Sequence, residues 1–104
     1  MKIEINANRW FDRVNGNTYH SVRVIVDGKV IGINPFEYGY GSGYLQTAFG
    51  LLQDANVFPK TGERFNGADA DYSRFLTWKM DNRDSWEESI NDVKRKKDLV
   101  PVWW

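Results

Sequence analysis

The chain contains no cysteine, one histidine and three prolines. Without cysteine it has no disulfide framework, no thiolate nucleophile and no sulfur ligand for zinc. A lone histidine, His20, would have to share any metal with carboxylates alone, so no metal and no cofactor is expected. Net charge is also missing. Fourteen basic residues balance fourteen acidic ones, so no global field draws the protein to nucleic acid or to an anionic membrane. No run approaches the roughly 18 apolar residues of a membrane span. The opening MKIEINANRW has no apolar signal core. A cytoplasmic protein without a membrane partner is the expectation. Catalytic motifs are lacking as well. The serines sit in no nucleophile elbow, and nothing selects one carboxylate pair from the rest, so the reading is non-enzymatic.

What the chain does have is aromatic residues, 15% of its 104 positions, within a 41% hydrophobic composition. That is enough for one folded domain over 1–104 with a modest core. The clearest pattern lies in residues 1–35. Ile3, Ile5 and Ala7 alternate with polar residues, as do Val22, Val24 and Val26, and then Ile31 and Ile33. Between them stand Asn15-Gly16 and Asp27-Gly28, the dipeptides of two-residue hairpin turns. The pattern predicts a three-stranded antiparallel meander. With Val14 opposite Asn17, Ala7 faces Val24 and Phe11 faces His20; with Val26 opposite Lys29, Val22 faces Ile33. The apolar set then falls on one face, and only Arg9 fits poorly.

The other face gathers Asn6, Asn8, Trp10, Tyr19, Ser21, Arg23 and Asn34, with Trp10 opposite Ser21 and Ser21 opposite Asn34. Aromatic rings with Arg and Asn make a recognition composition. The competing reading is that a later segment, the aromatic C-terminus for one, covers this face as a second core. If the face is open, Ser21→Asp is tolerated while Val24→Asp is not.

Next comes PFEYGYGSGY, Pro35–Tyr44. A helix over 43–56 follows, with Leu45, Ala48, Phe49 and Leu52 at helical spacing, Ser42 at its N-cap and Pro59 beyond its end. A glycine loop at a helix N-terminus can cradle an anion. This one lacks the Lys-Ser/Thr of a P-loop and the spacing of a dinucleotide fingerprint. A structural turn, or a partner-contacting loop carrying Tyr38, Tyr40 and Ser42, are the other readings.

In the second half, Asp69 caps a predicted helix over 69–81 whose Tyr72, Phe75, Leu76 and Met80 face inward. Asp69 and Asp71 could form a metal pair, but capping is the simpler account. SWEE, Ser85–Glu88, has capping-box form, and Trp86, Ile90 and Val93 follow at helical spacing, which predicts a short helix over 84–95. The run Lys94-Arg95-Lys96-Lys97 is either a solvated helix end or a phosphate-contacting patch. The tail over 96–104 ends in LVPVWW, apolar enough that it should dock across the domain or a partner subunit.

The strings GNTYHSV (Gly16–Val22), PFEYGYGSGYLQTA (Pro35–Ala48) and KRKKDL (Lys94–Leu99) resemble a group of small proteins of bacteriophages and mobile elements. No settled activity comes with that group, so the resemblance carries no catalytic residue across. It implies a context, a host cell's cytoplasm, and a partner that is a host protein or ribonucleoprotein complex such as a defence nuclease. The fold expected is α+β: the meander packed on one long helix, followed by an α-rich second half. The function expected is non-catalytic binding that blocks or modulates a host protein, anti-CRISPR-like, as a monomer or homodimer. Its contacts would be Trp10, Tyr19, Arg23, Asn34, Tyr38, Tyr40 and Ser42. The alternative is a small nucleic-acid- or nucleotide-binding module using the open sheet face with phosphate contacts from Lys94, Arg95, Lys96 and Lys97.

Overall fold

A computed structural model describes residues 1–39 and 41–104. Three ten-residue strands come first: β1 (Ile3–Asp12), β2 (Asn17–Val26) and β3 (Lys29–Tyr38). Helix α1 (Gly43–Asp54) follows, then a two-rung hairpin of β4 (Arg64–Phe65) and β5 (Ala68–Asp69), helix α2 (Ala70–Asp81) and strand β6 (Trp86–Val93). The main sheet runs β3-β2-β1-β6, with β6 parallel to β1. The protein is α+β, with a mixed four-stranded sheet.

The segment 84–95 therefore corrects the predicted short helix. Trp86, Glu88 and Ile90 pair with Ile3, Ile5 and Ala7 of β1. The strand was disguised because Glu88 occupies the middle of its inward-facing set and erases the alternation. Its carboxylate is accommodated there by Tyr44 Oη at 2.7 Å, Lys79 Nζ at 2.6 Å and Trp86 Nε1 at 2.7 Å. With β6 a strand, the second half is not α-rich and the sheet is not purely antiparallel.

Asp27 and Gly28 take φ of 50° and 80°, the two-residue turn that the dipeptide demands, and Val26 pairs with Lys29. The other predicted turn is different. Asp12 accepts the Val14 amide at 3.0 Å and the Asn15 side-chain amide at 2.8 Å, while Gly16 N–H returns to the Asp12 carbonyl at 2.8 Å. This local cap wins over the Asn-Gly turn and makes a longer loop. Asp12 pairs with Asn17, so Ala7 faces Val22 and Trp10 faces Tyr19. A shift of two residues leaves every side chain on its face. Among the apolar set of these two strands, Phe11 lies past the core edge and is 54% exposed.

β3 carries two irregularities. An extra residue after Val30 sets Asn34 opposite Val22 and Ile33 opposite Arg23, reversing the predicted faces of both. A second one, at Pro35 where a ladder N–H is missing, is braced by the Phe36 amide donating to Asn34 Oδ1 at 3.1 Å. It brings Tyr38 opposite Tyr19.

Both helices cover one face. Ile3, Ile5, Ala7, Val22 and Val24 meet Ala48, Phe49 and Leu52 of α1 and Phe75 of α2. Phe49 and Phe75 stack at 5.0 Å, and Phe75 meets Trp86 at 5.5 Å. Asp69 caps α2 through the amides of Asp71 and Tyr72, and Asp71 accepts from Thr61 N–H, Thr61 Oγ1 and Gly62 N–H. Both carboxylates thus hold chain in place.

The C-terminal tail crosses the opposite face. Leu99 is buried, and its carbonyl accepts from Asn8 Nδ2 at 3.1 Å and from Ser21 Oγ. Of the two readings of this face, the covered one holds at its centre, and Ser21 is fully buried. The expected tolerance of Ser21→Asp is corrected accordingly.

Candidate functional site

The tail leaves partly uncovered the sheet end formed by Trp10, Tyr19, Phe36 and Tyr38, touching it at Phe36 through Lys96. The register places these four across β1, β2 and β3. Trp10 stacks on Tyr19 with centroids 5.8 Å apart, Tyr19 on Phe36 at 4.5 Å, and Tyr38 meets Tyr19 edge-on at 5.7 Å. The outer members stay in solvent: Phe36 is 41% exposed and Tyr38 61%. Sequence reasoning named three of the four and missed Phe36. The signal was there, since Phe36 and Tyr38 alternate on one strand once β3 is carried past Pro35.

The basic run borders this row. β6 ends at Val93, and Lys96–Leu99 form a 3-10 turn that folds the lysines back over the sheet. Lys96 Nζ lies 4.9 Å from the Phe36 ring centroid, a cation–π approach. Phe36, Lys96, Lys97 and Val100 line a hollow of about 690 Å³. Trp10, Arg13 and Lys94 line another of about 590 Å³ at the other end of the row. Arg95 instead pairs with Asp98 at 3.4 Å.

The remaining predicted contacts lie elsewhere. Arg23 is committed within the fold: Nε and Nη2 donate to Asn6 Oδ1 at 3.0 and 2.8 Å, and its guanidinium lies 4.8 Å from the Trp103 ring. Asn34 faces the helix side, beside α1. Ser42 is exposed at the α1 N-cap, and its side chain makes no cap hydrogen bond. Tyr40 lies outside the described residues.

The glycine loop is stitched to the sheet mainly through its carbonyls. Gly39 N–H donates to Thr18 O at 3.0 Å. His20, 1% exposed, donates from Nδ1 to the Gly39 carbonyl at 3.1 Å, so its Nε2 in the neutral ring accepts from Thr47 Oγ1 at 2.7 Å. Arg9 donates to the Gly41 carbonyl at 3.2 Å and pairs with Asp92 at 3.0 Å. These contacts are those of a structural turn. Both His20 nitrogens are occupied, and among the described residues no group of three His, Asp or Glu side chains could hold a metal ion.

A second polar cluster sits under α2. Burial works to raise the Glu88 pKa, but hydrogen bonds from Lys79, Tyr44 and Trp86 outweigh it and hold the carboxyl below its usual value. The Tyr44 phenol is pushed well up, first by burial and then by its bond to Glu88. Glu88 is tethered by all three donors, and the cluster holds β6 against both helices.

Among the described residues no helix is long and apolar enough to cross a membrane. The chain matches no family model, and no curated protein or solved structure matches it significantly.

Proposed function

We propose that this protein is a non-catalytic binding protein that blocks or modulates a partner protein through the aromatic row Trp10, Tyr19, Phe36 and Tyr38. The observation that carries it is how the rings use their faces. Base stacking needs an open π-face on each platform. Here Tyr19 lies between Trp10 and Phe36, and the Lys96 ammonium lies over Phe36. What the row offers a partner is the edges of Tyr19 and Phe36 and the exposed Tyr38 with its hydroxyl, rigid contact area of the kind that anchors protein interfaces. Lys94, Lys96 and Lys97 frame it as a basic rim, so the partner surface is acidic around an apolar centre. The resemblance of GNTYHSV, PFEYGYGSGYLQTA and KRKKDL to phage and mobile-element proteins supports a host protein, such as a component of a defence nuclease complex, as that partner.

A nucleic-acid module is the second reading, and the closeness of the lysines to the aromatic row is what favours it. Affinity capture from host lysate, with and without nuclease, separates the two. Nuclease-resistant capture that is lost in Phe36→Ala and Tyr38→Ala, at roughly 2 kcal/mol or more of binding each, supports protein docking. Tight DNA or RNA binding by the purified protein at physiological salt, abolished by Lys96→Glu with Lys97→Glu, refutes it.

A further inference from the structure

A different surface lies on the helix side, where α1 runs beside the outer edge of β3. Among the described residues β3 pairs only with β2, so its other edge has no strand partner there. Between that edge and α1 runs a groove of about 400 Å³. Its helix wall is one stripe at helical spacing: Gly43, Gln46, Thr47, Gly50, Leu51 and Asp54. Gly50 leaves the wall recessed, because a Cβ there would meet nothing within 4 Å. Its sheet wall includes Asn34, Glu37 and Tyr38.

The charge in this groove is of one sign. Glu37 and Asp54 line it, no cationic residue does, and neither acid joins an ion pair among the described residues. Asp54 ends α1, whose last turn has no basic residue, so it adds negative charge to the negative end of the helix dipole. A cation from outside relieves both. A 12-residue helix is about 18 Å long, the reach of about five or six extended residues.

We infer that the α1/β3 groove is a docking site for an extended, basic peptide segment of a partner protein, laid along the β3 edge with a Lys or Arg toward each of Glu37 and Asp54. Main-chain pairing with β3 supplies part of the affinity on either side of Pro35, whose missing N–H interrupts the ladder. The site shares Tyr38 with the aromatic row, but Trp10, Tyr19 and Phe36 do not line the groove, and the row selects for acidic partners.

The test uses a random-octapeptide library panned on the full chain, with the selected peptides measured by fluorescence anisotropy. The key variant is Gly50→Leu, which fills the groove at a position with free space and replaces a helix glycine with a strong helix former, so the fold is retained. Circular dichroism and melting confirm that retention. The expected result is enrichment of peptides with two basic residues about four or five positions apart, binding Gly50→Leu about tenfold more weakly or worse. Glu37→Lys with Asp54→Lys should abolish their binding, while Phe36→Ala should leave it unchanged. Absence of enrichment, selection of acidic peptides, binding indifferent to Gly50→Leu, or loss through Phe36→Ala would each overturn the proposal.

Discussion

Ser21→Asp tests where the C-terminal tail sits. Ser21 is 0% exposed, and its hydroxyl donates to the Leu99 carbonyl, which Asn8 also holds. An aspartate there sets a carboxylate against a carbonyl oxygen in a buried site. Keeping it buried costs about 3–5 kcal/mol. Releasing the tail instead forfeits Leu99 burial, about 2 kcal/mol, and two hydrogen bonds worth roughly 1 kcal/mol each. Freed chain entropy returns part of that loss. Release is therefore the cheaper response, with a net loss of about 2–3 kcal/mol and a melting temperature lower by on the order of 10–20 °C. Two assays read it together: urea unfolding for the stability loss, and a trypsin time course at Lys94–Lys97 for the lifted tail. Ser21→Ala, which removes one donor and adds no charge, should cost only about 1 kcal/mol and leave the trypsin rate at the parent protein's value. An Asp variant with an unchanged midpoint and unchanged trypsin rate would refute the docking of Leu99 on this face.

Val24→Asp places a charge at a fully buried sheet position where no loose segment can release it, so it should lose about 3–5 kcal/mol and fail to melt cooperatively. Gly39 has φ of 155°, and a Cβ there would lie 3.1 Å from His20 Cε1, so Gly39→Ala should cost roughly 1–3 kcal/mol. Gly50→Ala, with open space around it, should stabilise by about 0.5–1 kcal/mol; differential scanning calorimetry on both decides. Glu88 has a folded pKa below its usual 4.5, so its stabilisation is complete above that pH and is lost as pH falls through the lowered value. Urea midpoints measured from pH 6 down to 3 should fall less steeply in Glu88→Gln than in the parent protein.

Much of the first strand trio was legible because its signals are local. Valine and isoleucine alternate with polar residues, and Asp27-Gly28 admits few conformations other than the tight turn it adopts. The same logic applied to Asn15-Gly16 was outvoted by Asp12, whose side chain caps the loop amides. A period-2 pattern survives a two-residue slip, so the core face of β1 and β2 was right while their cross-strand partners were not. In β3 the extra residue after Val30 turned Ile33 and Asn34 over. Asn66-Gly67, with φ of 51° and 80°, is a further hairpin turn of the same dipeptide kind, but its two flanking strands have only two residues each and carry no alternation to announce it.

β6 was not legible, for a different reason. Strand patterning assumes that inward positions are apolar, and Glu88 breaks the assumption. Its partners Tyr44 and Lys79 come from α1 and α2, so the fact that makes a buried-side glutamate acceptable is distributed over the chain. The aromatic row depends on the same kind of information. Trp10, Tyr19 and Tyr38 stood out by composition, but Phe36 joined them only through the irregularity at Pro35, and the lysines only through the turn that follows β6. The sequence by itself determined the hydrophobic face, the amphipathic helices and the balance of charge, because each is a property of residues near in the chain. The tertiary structure alone decided that Leu99 closes the centre of the second face and that the aromatic end stays open. A single buried leucine carbonyl, reached by Asn8 and Ser21 from two strands, sets that boundary, and no local pattern encodes a contact made across 78 and 91 residues of chain.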